Sequence, residues 1–135
     1  MVAFCADILQ ALGKPEYSLS VVFVGVRKMR ALNWQFRAKD YPTDVLSFHY
    51  DEDLEDGRKF LGEVVVAPEI ARDQADRHHT PREREMRRLL IHGILHLLGH
   101  DHEADSGEMV LLQRQLLRHS GTCHPPPIVE MGEGT

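Results

Sequence analysis

Four histidines lie between positions 92 and 102, in a stretch that is otherwise rich in leucine and glycine. His92 and His96 are four residues apart, so on an α-helix they project from the same face, one turn apart. Apolar residues flank both of them, and an imidazole that is buried among such residues needs a polar partner. Two imidazoles at this spacing are able to bind one metal ion together. The sequence therefore predicts an apolar helix with a metal-binding face.

A glycine three residues after His96 offers a route to a third ligand. Gly99 can take the left-handed conformation that ends a helix. The chain would then fold back and present His102 to the open side of the ion. His100 and Asp101 are neighbouring alternatives, and we favour His102. Three neutral nitrogens leave a fourth position for water, as in catalytic zinc sites, where the metal lowers the pKa of the water to about 7. We expect one Zn²⁺ per chain.

The same spacing occurs in the metzincin proteases, His-Glu-x-x-His-x-x-Gly-x-x-His. Those enzymes use the glutamate after the first histidine as general base, but position 93 of this chain is Gly93, which has no side chain. A standard metalloprotease mechanism is therefore disabled unless the base comes from elsewhere. The metal itself stays open, because an all-imidazole site suits zinc, copper, nickel and iron alike. Cellular availability favours zinc.

Length and composition indicate one soluble globular domain. The chain has 135 residues, of which 42% are hydrophobic and 27% charged. Its net charge of −5 argues against binding nucleic acid by bulk charge but not against a local basic patch. There is no apolar run near the ~20 residues of a membrane span, no basic region typical of a secretory signal, and no cysteine framework. We expect one domain over residues 1–120, a disordered tail over 121–135 and a cytoplasmic location.

Hydrophobic patterning predicts alternating helices and strands. Helices are expected at 2–12, 26–36, 68–77, 80–99 and from 105 onward, and strands at 19–25, 44–50 and 60–67, the last two forming a hairpin. The tetrapeptide Thr80-Pro81-Arg82-Glu83 has the form of a capping box that would start the histidine-bearing helix. The fold class is therefore α/β or α+β, with about three strands and four or five helices.

The run from His92 to His102 resembles the His-Gly-x-x-His-Leu-x-Gly-x-Asp-His signature of the YbeY endoribonuclease family. Two further blocks, both before the histidine run, also agree with this family, and all three motifs occur in the order expected along the chain. The blocks are Asn33, Arg37, Lys39-Asp40 with Pro42-Thr43-Asp44-Val45-Leu46-Ser47-Phe48, and Leu61-Gly62-Glu63. The resemblance extends from about Leu19 to Leu117, which is most of the chain.

The resemblance implies a zinc-dependent endoribonuclease that cuts single-stranded RNA and matures ribosomal RNA. The family acts on the 3′ end of small-subunit rRNA and in ribosome quality control, so the implied partners are ribosomal RNA, the small ribosomal subunit and its assembly factors, with no membrane. The implied fold is an α+β sandwich, with a small mixed sheet of three or four strands and a zincin-like metal-binding helix. By this resemblance the metal ligands are His92, His96 and His102, and the functionally important arginine is Arg37.

Several features depart from the family pattern. An aromatic residue is usual at the position of His100, proline at that of His49, and aspartate at that of Glu63. Relatives have a leading strand before the first helix that is not found in this sequence, so we expect either a sheet that is one strand smaller or a start that lies further upstream. The role of the additional imidazoles is open.

The proton acceptor is not fixed by the sequence, because there is no glutamate at position 93. Asp44, Ser47 and His100 are candidates, and a pathway through the substrate's own 2′-hydroxyl is a further alternative. Two other functions also remain open: a zincin-like metalloprotease, and a non-catalytic ribosome-assembly factor that contains zinc. One basic cluster is placed to line an RNA groove, whereas the acidic run at 51–56 is expected to face away from RNA. The cluster comprises Arg27, Lys28, Arg30, Arg37 and Lys39.

Overall fold

The computed structural model describes residues 2–99 and 107–121. In these two ranges the chain forms five helices and three strands, in the α+β arrangement that the sequence predicts. In chain order they are α1 (Val2–Ala11), β1 (Tyr17–Phe23), α2 (Val26–Arg37), β2 (Val45–Asp53), β3 (Lys59–Val66), α3 (Pro68–Arg77), α4 (Arg82–Leu97) and α5 (Glu108–Gly121). None of the described helices has the length and the apolar run that crossing a membrane requires.

The three strands form one mixed sheet in the order β1-β3-β2. The central strand β3 pairs in parallel with β1 and antiparallel with β2, so the predicted hairpin of β2 and β3 is confirmed. The predicted end of the second strand at residue 50 is wrong, because β2 continues into the acidic run as far as Asp53 after an irregularity between His49 and Glu52. Strand pairing with Lys59 and an ion pair from Lys59 to Asp51 at 3.0 Å hold this acidic segment in the hairpin.

Gly62 fixes the register of β2 against β3. Its Cα is paired with that of His49, and its φ of +150° lies outside the range that L side chains readily adopt. A Cβ built on Gly62 would overlap the carbonyl oxygen of Phe48. The two backbones therefore approach so closely that only glycine fits.

Helices cover both faces of the sheet. Val21, Val64 and Val66 pack in a cluster with Leu90 and Ile94 of α4, and residues of α1 and α5 complete this layer. On the other face Met29 of α2 packs in a second cluster with Leu46, Val65 and Ala67. The histidine-bearing helix α4 is thus the most buried helix of the first layer, as its apolar sequence predicts.

Helix α4 packs tightly on the sheet at Gly93. A Cβ at this position would lie 2.6 Å from Cγ1 of Val64 and 3.3 Å from Oγ of Ser47. The hydroxyl of Ser47 donates a hydrogen bond to the carbonyl of Gly93 at 3.2 Å. The glycine is therefore needed for close packing between helix and sheet, and a side chain here would point into β3.

The predicted capping box at the start of α4 is wrong. The residue that precedes the helix is Pro81, and no side chain caps the helix. Thr80 instead completes the end of α3: its N–H bonds to the carbonyl of Ala75 at 2.8 Å, and the preceding His79 is left-handed with φ 56°. This is the Schellman arrangement, and the Thr80 hydroxyl donates to the carbonyl of His78 at 3.4 Å. The predicted start of the last helix at 105 lies outside the described residues, as does the predicted tail over 121–135 apart from Gly121, which is the last residue of α5.

Candidate metal centre

His92 and His96 project from consecutive turns of α4 and bring their Nε2 atoms within 3.1 Å of each other. Both side chains are half-buried, and their rings meet edge to face with centroids 4.6 Å apart. Two nitrogens bound tetrahedrally to one zinc ion at its usual bond length would lie about 3.3 Å apart. The pair predicted from the spacing is therefore already close to the geometry of a shared metal ligand.

Gln113 of α5 sets the orientation of the first imidazole. Its Oε1 accepts a hydrogen bond from Nδ1 of His92 at 3.0 Å. An amide oxygen can only accept, so the hydrogen is on Nδ1 and the lone pair of His92 is on Nε2, facing His96. Metal-binding histidines in proteins almost always carry such a second hydrogen bond.

Gln113 was missed by the sequence analysis, although the sequence contains a signal for it. The inward face of α5 presents buried apolar residues at Met109, Leu116 and Leu117. Gln113 falls on the same face, four residues after Met109 and three before Leu116. A glutamine within an apolar stripe needs a polar partner, and that partner is a histidine 21 positions away.

His49 joins β2 to the last turn of α4. Its Nε2 lies 2.8 Å from the backbone carbonyl oxygen of His96. Because a carbonyl only accepts, Nε2–H of His49 is the donor. The departure from the family pattern at this position thus has a structural role, which is to hold the helix end that carries the second imidazole.

The remaining candidate ligands are His100, Asp101 and His102, and all three lie outside the described residues. Within residues 2–99 and 107–121 there is no group of three or more His, Cys, Asp or Glu side chains placed to hold a metal ion. Gly99 follows the end of α4 with φ +97°, the left-handed conformation that the predicted fold-back requires. The choice of His102 as third ligand stays a prediction.

Arg37 is the last residue of α2 and is exposed. Two features fix the chain that follows it: Ala38 is left-handed at φ 57°, and Nδ2 of the buried Asn33 donates to the carbonyl of Tyr41 at 2.7 Å. The assignment of Arg37 to the site also stays a prediction.

The two described candidates for proton acceptor have other partners. Asp44 accepts a hydrogen bond from Thr43 at 3.3 Å, and its Oδ2 lies 3.9 Å from Nη2 of Arg88. Arg88 in turn makes a bidentate pair with the buried Glu85 at 2.6 and 3.1 Å. Ser47 is engaged by the carbonyl of Gly93. These contacts anchor β2 to α4, which is a structural role.

A family model described as Endoribonuclease YbeY matches residues 2–121. The chain belongs to the YbeY family. It is 46% identical over 90 residues to Endoribonuclease YbeY of Thermodesulfovibrio yellowstonii, covering 67% of this chain and 57% of that protein. It is 42% identical over 118 residues to the same enzyme of an Anaeromyxobacter species, covering 86% of this chain and 61% of the relative.

A solved structure shares the fold. The solution structure of TM1509 from Thermotoga maritima superimposes with a TM-score of 0.61 and 32% sequence identity, covering 90% of this chain and 82% of that one. The resemblance drawn from the motifs is thus confirmed. The chain spans about three fifths of the length of the two YbeY relatives above.

Proposed function

We propose that this YbeY family member is a metal-dependent endoribonuclease that cuts single-stranded RNA. One observation carries the proposal: the Nε2 atoms of His92 and His96 lie 3.1 Å apart, with His92 oriented by Gln113. The curated relatives that match the chain are named endoribonucleases, which gives the substrate class.

The residues present fit a zinc ion. The two described donors are half-buried nitrogens whose spacing matches a shared ion, and His102 would complete the set. When bound, zinc would supply a water of lowered pKa and polarise a phosphoryl oxygen. One Zn²⁺ per chain is the expected content.

The residues around the imidazoles have distinct roles in this proposal. Arg37 would bind the phosphate through its planar fork of N–H donors. Gln113 orients the imidazole of His92, and His49 holds the backbone carbonyl of His96 at the end of α4. Since Asp44 and Ser47 have other partners, His100 is the preferred proton acceptor, whether the attacking group is water or the substrate's own 2′-hydroxyl.

The position of Gly93 weighs against a metalloprotease. A side chain here would run into Val64 and Ser47 and not toward the imidazoles. The general-base glutamate of metzincins therefore has no place in this fold, even by substitution.

The finer functional assignments follow the family resemblance. We propose that residues 1–120 form the hydrolase domain and act in the cytoplasm on the 3′ end of small-subunit rRNA, in rRNA processing and ribosome quality control. The small ribosomal subunit and its assembly factors would be the partners.

The test compares cleavage of a single-stranded RNA and of an unfolded protein by the purified chain. Native, metal-stripped and zinc-reloaded samples should be measured beside His96→Ala, with the exposed His78→Ala as matched control. RNA cleavage that is lost on stripping, restored by zinc, abolished in His96→Ala and kept in His78→Ala is expected. Arg37→Ala should lower cleavage about a hundredfold at unchanged zinc content.

Three results would contradict the proposal. Metal-independent RNA cleavage would indicate another site or a contaminant. Cleavage of protein without RNA would favour the metalloprotease. Stoichiometric zinc with no cleavage of either substrate would favour the assembly factor.

A further inference from the structure

A groove of about 240 Å³ lies between α2 and the sheet, on the face opposite α4. Valines of β1 and β3 form its floor, and aromatic side chains of α2 and β2 form its walls. Phe36 is 57% exposed and Tyr50 is 54% exposed. Exposed apolar side chains that lie together in one patch mark binding surfaces, whereas scattered single ones do not.

The aromatic rings are held in fixed positions. Phe36 and Phe48 meet edge to face, with centroids 5.0 Å apart and planes at 74°. Tyr50 stacks on Phe60 at 5.9 Å and 13°, and its hydroxyl donates to Glu63 at 3.2 Å. The groove therefore presents rigid ring faces for a planar ligand.

The helix beside the groove is basic. Residues 26–39 contain five basic and no acidic side chains, and one of the five, Arg30, is paired with Asp40 at 2.9 Å. Lys28 and Phe36 both line the groove. They are eight residues apart, which places them on the same side of α2. Beyond Tyr50 the strand continues into Asp51, Glu52 and Asp53. A polyanion would thus be attracted along α2 and repelled at the hairpin end.

Strand β2 connects this groove to the imidazoles. Phe48 and Tyr50 line the groove, whereas Ser47 and His49, which alternate with them, bond to α4. Because β2 is an edge strand of the described sheet, an extended polymer can pass around it from one face to the other.

We propose that the groove binds one nucleobase of single-stranded RNA, stacked on Phe36 and bordered by Phe48, with a neighbouring phosphate at Lys28. The proposal rests on the proposed function, because RNA is taken as the ligand. Stacking of this kind is tolerant of base identity, so the groove would add affinity without selecting a sequence.

The test measures binding of a fluorescent uridine octamer by anisotropy. The full chain should carry His96→Ala, so that binding is measured without cleavage. In that background Phe36→Ala should raise the Kd at least about fivefold. The matched control is Trp34→Ala, because Trp34 is an equally exposed aromatic on α2, at 60%, that does not line the groove. It should leave the Kd unchanged.

Two further measurements identify the contacts. An abasic octamer should bind with equal affinity to the His96→Ala protein and to the same protein carrying Phe36→Ala, since the octamer has no base to stack. Lys28→Ala should reduce the slope of log K against log salt by about 0.7.

Unchanged octamer affinity in a Phe36→Ala protein of normal thermal stability would overturn the groove assignment. So would an equal loss of affinity for the abasic octamer. If Phe36→Ala altered sedimentation but not RNA affinity, the groove would be a self-association surface and the proposal would be wrong. Failure of the wild-type chain to cleave RNA would overturn the proposed function alone.

Discussion

Oε1 of Gln113 on α5 accepts a hydrogen bond from Nδ1 of His92 on α4 across 3.0 Å. This bond determines which nitrogen of the imidazole is available to a metal. It also makes the candidate metal centre depend on two helices that are separated in the chain by the segment containing His100 and His102. Docking of α5 on α4 is therefore part of building the site.

Loss of this bond should weaken metal binding. Gln113→Ala leaves Nδ1 of His92 without its acceptor, so the ring can rotate, and zinc affinity should fall about 10- to 100-fold. Competition with a chromophoric chelator measures the change. Gln113→Glu, which keeps an acceptor at the same reach, should retain most of the affinity. The exposed Gln115→Ala is the control on the same helix, and equal affinity of all three variants would contradict the assigned role.

Substitution of Gly93 should destabilise the protein even though alanine is normally preferred in helices. Gly→Ala inside a helix usually stabilises by about 1 kcal/mol, but here the new Cβ meets the stiff side chain of Val64 at 2.6 Å. The overpacking cost of about 1–3 kcal/mol should exceed the gain in helix propensity, so the free energy of unfolding measured in urea should fall. In the double variant Gly93→Ala/Val64→Ala the two losses should be less than additive. A stabilised Gly93→Ala protein would show that α4 does not touch the sheet there.

Gly62→Ala should be more damaging than Gly93→Ala. Its Cβ would meet the backbone of Phe48, which cannot move without opening the pairing of β2 with β3. The expected loss is about 3 kcal/mol or more, and shortening the side chain in Phe48→Ala should not rescue it. Gly57→Asn is the control, because φ there is +87° with open space around the residue, and asparagine tolerates that conformation. Comparable losses at positions 57 and 62 would refute the explanation.

Cys5 should make stability fall at alkaline pH. Burial raises the pKa of its thiol from 9.0 to about 11, so between these values the unfolded chain ionises and the folded chain does not. The contribution of Cys5 is therefore constant below pH 9 and declines above it by about 1.4 kcal/mol per pH unit, until the folded pKa is reached. The difference in unfolding free energy between the parent and Cys5→Ala, followed from pH 8 to 11, isolates this effect. A difference that does not vary with pH would show that the thiol is not buried.

Local patterns in the sequence were sufficient for the framework of the fold. The apolar periodicity located the helices and strands to within a few residues, and the four-residue spacing of His92 and His96 alone predicted convergent imidazoles. Both signals depend only on the repeat of a helix or a strand. The left-handed glycine after α4 was predictable for the same reason, since the requirement is local.

Features that depend on distant contacts were not predictable in this way. The sequence around Thr80 fits a cap at the start of α4, but hydrogen bonds to the end of α3 hold this residue instead. The partner of His92 lies 21 residues away and that of His49 lies 47 residues away. Such pairs depend on how the helices dock on the sheet, which no single segment encodes.

Side chains alternate along β2 between the face that contacts α4 and the face that lines the groove, so both sets of contacts depend on the number of residues in the strand. A one-residue insertion or deletion before His49 would rotate the strand by half a turn. Phenylalanine would then be forced against the carbonyl of Gly93, and the imidazole of His49 would be directed at the basic helix α2. The hydrogen bonds from β2 to α4 and the aromatic lining of the groove would be lost together, so this strand should tolerate substitutions far better than changes of length.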